Sequence, residues 1–122
     1  MDYAAHIARI CKIESITLHI YSGNGRAYRK SRRIKIRPVK TAKTYAVALH
    51  EIGHILGPRQ SSTRLDQEVG AWEWAERNAL EWTPAMSATR ARCLNAYLVW
   101  SLRRRGVKQA GPDHPIHALI AA

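Results

Sequence analysis

The chain has 122 residues, 46% of them apolar, and carries 20 Lys and Arg against 9 Asp and Glu for a net charge of +11. That length and apolar fraction suit one domain with its own core, residues 1–122, and exclude a disordered tail. No apolar run approaches the roughly 20 residues that span a bilayer, and the opening MDYAAHIARICK lacks an apolar signal segment. The expectation is a cytoplasmic protein with no membrane partner, in which Cys11 and Cys93, far apart and without metal-ribbon spacing, are two reduced thiols.

In chain order, Ala4, Ile7, Ala8 and Cys11 recur at helical spacing, which predicts an amphipathic helix over residues 2–12. Ile16, Leu18 and Ile20 then alternate with Thr17, His19 and Tyr21 as in a strand, and SGNG at 22–25 signals a turn. Alternation resumes at Ile34 and Ile36, with Arg33, Lys35 and Arg37 on the opposite face, until Pro38 ends the strand. A central helix is predicted over 44–56, capped by Thr41 or Thr44, with Tyr45, Ala48, Leu49, Ile52 and Leu56 as its buried stripe and Gly57-Pro58 as its stop. A polar loop leads to a second helix over 65–82, and Thr83-Pro84 opens a third that runs to Arg105 with Gly106 as terminator. Arg103, Arg104 and Arg105 would then offset the dipole of its last turn, and the tail from Val107 is expected to be extended. The fold class is α+β: an N-terminal helix, a sheet of two or three short strands, then three helices.

The central helix contains His50-Glu51-Ile52-Gly53-His54. Residues i and i+4 lie one above the other on a helix, so His50 and His54 can offer ring nitrogens to one metal ion. Glu51 lies about 100° round the helix, beside the metal instead of on it. Zinc lowers the pKa of a bound water to about 7, and Glu51 can then act as the general base. With six His and six Glu, such a pattern arises by chance in about one chain of this size in a hundred. Gly53 adds to the case, because glycine inside a helix costs about 0.5–1 kcal/mol and points to close approach by another backbone.

A third ligand is expected on the second helix. There Glu68 shares a face with Ala71, Trp72, Ala75, Ala79 and Trp82, whereas Asp66, Gly70, Glu73 and Arg77 share another, with Glu73 and Arg77 spaced as an i, i+4 ion pair. A carboxylate aimed into an apolar face is costly unless it is paired or bound to a metal. A buried Glu68–Arg pair would answer that cost, but His50 and His54 upstream make Glu68 the third ligand of one zinc ion per chain. Two histidines, one glutamate and an open fourth position describe a catalytic site and not a closed structural one.

On these residues the chain resembles the ImmA/IrrE family of zinc metallopeptidases of phages and other mobile elements. The resemblance covers roughly residues 34–84 and rests on HEIGH and on Glu68-Val69-Gly70-Ala71-Trp72-Glu73-Trp74-Ala75, which is similar to that family's ligand-bearing helix. It implies a small zincin-like domain that cleaves a protein substrate, a repressor bound to DNA among the candidates. Departures are a short gap between His54 and Glu68, Gly70 in place of the family's second acid, and the bulk of Trp72 and Trp74. They bear on substrate recognition and leave the metal set complete.

The charge suggests a second reading. Nine basic residues and no acid lie between Arg26 and Lys43, a field that attracts nucleic acid or an acidic protein. Arg29, Lys30, Arg32, Arg33, Lys35 and Arg37 are the expected contacts. The competing function is thus a basic module that binds nucleic acid or inhibits a host nucleic-acid enzyme, with a structural or vestigial metal. Tyr97, His114 and His117 are available as donors to a developing oxyanion, although spacing places none of them.

Overall fold

The computed structural model describes all 122 residues. Its elements are α1 (Tyr3–Ile13), β1 (Thr17–Ile20), β2 (Arg26–Tyr28), β3 (Arg33–Ile36), α2 (Ala42–Leu56), α3 (Arg64–Asn78), α4 (Pro84–Leu102) and α5 (Pro115–Ala121). This is the α+β domain expected from the patterning, with one more helix. In the sheet β3 is central, parallel to β1 and antiparallel to β2, so β2 forms an edge. Strand alternation sends Ile34 and Ile36 into the core and Arg33 and Lys35 to the other face.

Helix α2 is the hub, packed against α1, α3, α4, β2 and β3. Both threonines proposed as caps take part in its start. Thr41 Oγ1 accepts from the Thr44 amide at 3.2 Å, and Thr44 Oγ1 accepts from the Thr41 amide at 2.9 Å. The predicted stripe of Tyr45, Ala48, Leu49 and Ile52 is buried and gains Ala46 and Ile55, while Leu56 is only partly covered. On the side of α2 next to α1, Tyr45 stacks on Tyr3 with ring centroids 4.2 Å apart, and its hydroxyl accepts from the Leu80 amide at 3.0 Å.

Four expectations are corrected. Helix α3 ends at Asn78, not Trp82: Thr83 is the N-cap of α4 and precedes Pro84, so residues 79–82 must form the reversal between the two helices. Helix α4 ends at Leu102, leaving Arg103 as C-cap, Arg104 and Arg105 beyond it and Gly106 at φ +80°. Arg104 lies over the Trp100 ring at 5.6 Å, and the Gln109 amide takes the Ser101 carbonyl at 2.6 Å. The tail is not extended throughout. His114 Nδ1 accepts from the Ile116 amide at 3.1 Å, Pro115 opens α5, and Ile116 is fully buried in a helix that packs on α3 and α4. Finally, Glu73 pairs with Arg59 at 2.6 Å instead of Arg77, because the loop after α2 carries Arg59 across α3.

The contact that positions the site is between α2 and α3. A Cβ on Gly53 would lie 2.3 Å from the Ala71 carbonyl oxygen, and one on Gly70 would lie 2.0 Å from that of Pro58. The expectation for Gly53 is met, and Gly70 likewise fills a place where no side chain fits. Gly53→Ala gains about 0.5–1 kcal/mol of helix propensity and loses about 1–3 kcal/mol to overpacking against a backbone that cannot turn aside. Urea unfolding should therefore show net destabilisation by Gly53→Ala, together with weaker zinc uptake as α3 is pushed from α2.

Candidate metal centre

Each donor is placed by an element already described. His50 and His54 lie one turn apart on α2, and Glu68, fully buried, comes from the second turn of α3. His50 Nε2 is 2.9 Å from Glu68 Oε1, His54 Nε2 is 3.0 Å from Glu68 Oε2, and the two Nε2 atoms are 3.1 Å apart. Tetrahedral zinc with bonds of about 2.0–2.1 Å needs donor separations of about 3.3–3.4 Å. Each residue thus offers one ligand atom within 4.8 Å of the others, close enough for the three to share one metal ion.

The hydrogen-bond pattern shows why a cation belongs there. Gln60 is nearly buried, and its amide nitrogen donates to the carbonyls of Pro58 at 3.0 Å and Gln67 at 2.8 Å. With both amide hydrogens committed, Gln60 Oε1 faces His54 Nδ1 at 3.0 Å and fixes the proton of the neutral ring on that nitrogen. With its proton on Nδ1, His54 turns a bare Nε2 lone pair toward Glu68 Oε2, a buried oxygen without a hydrogen-bond donor whose other neighbour is the Arg64 guanidinium, Nε at 3.6 Å. Lone pairs meeting at 3 Å repel unless a proton or a metal lies between them.

His50 is oriented differently. Its ring lies flat on Trp72, with centroids 4.4 Å apart and planes 14° from parallel, and its Nδ1 is 3.5 Å from Glu51 Oε2. Trp72, noted in the sequence only as bulk, is the wall that holds the first ligand. Burial disfavours a charged His50, but the Glu51 and Glu68 carboxylates outweigh it and raise the imidazolium to about 9. Burial also opposes ionisation of Glu68, and the two neighbouring imidazoles, His50 first, overcome it and hold the carboxyl at about 2. In the absence of metal, a proton on His50 and the Arg64 guanidinium, 3.6 Å from Glu68 Oε2, are the cations of the cluster.

His50 and His54, with Glu68 buried behind them, open onto a cleft of about 490 Å³ between β2 and the helices. Arg26, Tyr28 and Arg29 line one wall, and Arg64 and Tyr97 stand opposite. Glu51 also lines it, in room left by Gly25, whose Cβ would fall 2.6 Å from Glu51 Oε2. Of the three proposed oxyanion donors, only Tyr97 reaches the cleft. His114 Nε2 is held by Asp66 Oδ1 at 2.6 Å and His117 Nε2 by the Gly111 carbonyl at 3.0 Å. Tyr97 Oη accepts from Arg64 Nη2 at 2.9 Å, which leaves its own proton free to be donated. Burial first, then the charge of Glu68, keeps that phenol above its ordinary pKa and therefore neutral.

The six basic residues expected to act together separate in space. Arg33 lies over the Tyr28 ring at 4.4 Å and Lys35 over the Tyr21 ring at 5.6 Å, both on the sheet face away from the core. Arg29 lines the metal cleft and Lys30 is exposed in the turn after it. Arg32, at φ +49°, folds back to donate to the Glu14 carbonyl at 2.6 Å, and Arg37 Nε donates to the Gly23 carbonyl at 3.2 Å.

No family model, curated protein or solved structure matches the chain. The case for a metal site is therefore geometric: His50, His54 and Glu68 form a group that could hold an ion.

Two predictions follow from this geometry. Gln60→Ala frees His54 to change tautomer, so zinc affinity measured against a competing chelator should fall about 10–100-fold while the fold is kept. His50 is raised above its unfolded value of about 6.5, so its proton stabilises the metal-free fold below that pH and ceases to as pH rises through about 9. A metal ion bound there would displace this proton, so for added zinc between pH 7 and 8.5 calorimetry in buffers of different ionisation enthalpy should show about one proton released per ion. Apparent affinity should rise about tenfold per pH unit over that range.

Proposed function

We propose that this chain is a zinc-dependent endopeptidase of the ImmA/IrrE type, acting in the cytoplasm on a regulatory protein of the mobile-element kind. The observation that carries the reading is the convergence of two histidines and a buried glutamate on one point at the floor of an open cleft, with a further carboxylate, Glu51, beside it. A closed structural site would need a fourth protein ligand, and no fourth donor joins the three. Zinc held by His50, His54 and Glu68 supplies Lewis acidity, activating water at neutral pH and polarising a carbonyl.

The remaining work falls to the chain's own side chains. Glu51, aimed into the cleft in the room left by Gly25, takes a proton from the attacking water and returns it to the departing amine. Tyr97, neutral and with its oxygen already satisfied by Arg64, donates its proton to charge that develops on the carbonyl oxygen. Trp72 and Gln60 keep the two imidazoles from turning as that charge moves.

Glu51→Gln should retain about one zinc per chain by elemental analysis and lose cleavage of a protein substrate. His54→Ala and Glu68→Ala should lose both. Cleavage that survived Glu51→Gln would sink the mechanism, and wild-type protein that took up no zinc would sink the assignment of the centre.

A further inference from the structure

The three-stranded sheet shows only one face to the helices. Helices α1 and α2 are the elements that pack on it, both against the side of Ile34 and Ile36, and no element covers the other side. On that open side the register sets two rows across the strands. Thr17, Arg33 and Tyr28 stand side by side in one, and His19, Lys35 and Arg26 in the next. Of the nine cations between Arg26 and Lys43, only Arg32 stands within 4 Å of a carboxylate, which leaves eight without an acidic partner. The acids lie elsewhere, none of them between Ser15 and His50. Glu73 and Glu76 are neutralised by Arg59 and Arg90, and Asp66 is held by His114.

We infer that this open face binds nucleic acid through its phosphate backbone. Unpaired cations repel one another and destabilise the fold, and a partner that supplies a regular series of negative charges relieves that repulsion. The long side chains are partly ordered in advance, Arg33 over Tyr28 and Lys35 over Tyr21, which lowers the entropy lost when they meet phosphates. A protein partner fits less well. Stable protein interfaces centre on buried apolar anchors with few charges, and this face offers cations in its middle and no large aliphatic residue. Contacts from Arg33, Lys35 and Arg26 to phosphates carry no sequence information directly, so affinity is expected to depend little on sequence. Arg26 belongs to this face and also lines the metal cleft, so bound nucleic acid would run beside the cleft mouth. The binding surface stands whether or not the metal centre hydrolyses peptides.

The test is fluorescence anisotropy of the full zinc-loaded chain with a labelled 20-residue single strand, the matching duplex, and polyglutamate of equal charge, across a salt series. The expected result is binding to either nucleic acid, insensitive to sequence and at least about tenfold tighter than to polyglutamate, with a steep salt dependence. Arg33→Gln with Lys35→Gln should lower affinity at least about tenfold and reduce the salt slope by about 1–2. Zinc content and far-UV circular dichroism should stay as in the wild type. Should that double variant fold poorly, Arg33→Gln or Lys35→Gln alone is expected to lower affinity and salt slope in the same direction by a smaller amount. The inference is overturned if the wild type fails to bind nucleic acid at low salt, if polyglutamate binds as tightly, or if well-folded variants keep the wild-type salt slope.

Discussion

Everything about the metal centre depends on how closely α3 approaches α2. Two helices normally pack with axes 8–10 Å apart, the spacing being set by the side chains between them. Here Gly53 and Gly70 remove those side chains, and the backbone of one segment rests on the backbone of the other. At a wider separation Glu68 would fall short of the two imidazoles and keep only Arg64, one turn away on its own helix at 3.6 Å, which leaves a buried carboxylate poorly compensated. The glycines, the buried charge and the pair of histidines are therefore one feature. Glycine weakens both helices in isolation, and the close contact is where that cost is offset.

Much of this was legible in the sequence because the chemistry follows helical periodicity. The i, i+4 spacing of His50 and His54, the placement of Glu68 on an apolar face and the anomaly of Gly53 all depend on positions along a helix, and α2 and α3 are regular where these residues lie. The strands were readable for the same reason, since Ile34 and Ile36 alternate with cations. Gln60 was not legible. It acts through the shape of a loop in which Arg59 takes φ +64°, and no periodicity announces an amide that seats itself on two carbonyls. The ends of α3 and α4 were misjudged because helix-forming residues continue past the points where the chain must turn. The last helix was missed because its cap is a histidine and it spans only seven residues.

The distribution of charge divides the molecule into two chemical halves. Five of the nine acidic residues lie in α2 and α3, where they meet arginines and histidines, and none lies between Ser15 and His50, so all the sheet region's cations except Arg32 lack an acidic partner. The cleft lies where the halves meet, with Glu51 and the ligands on the helical side and Arg26 and Arg29 on the other. The field of the free cations reaches about 8 Å at physiological ionic strength, far enough to act on whatever enters the cleft.

The loop that seats Gln60 also makes the centre local in the chain. His50 and Glu68 are eighteen residues apart, and Gln60 lies between them. Closing a loop of that length costs about 2.5 kcal/mol in its length-dependent entropy, whereas the clasp between Tyr3 and Glu81, seventy-eight residues apart, costs about 1.3 kcal/mol more. The hairpin of α2 and α3 can thus gather the donor set from neighbours in sequence, ahead of the contacts that tie the N-terminal helix to the far end of α3. On loop-closure entropy alone, the hairpin that carries the donors is the less costly of the two connections to close.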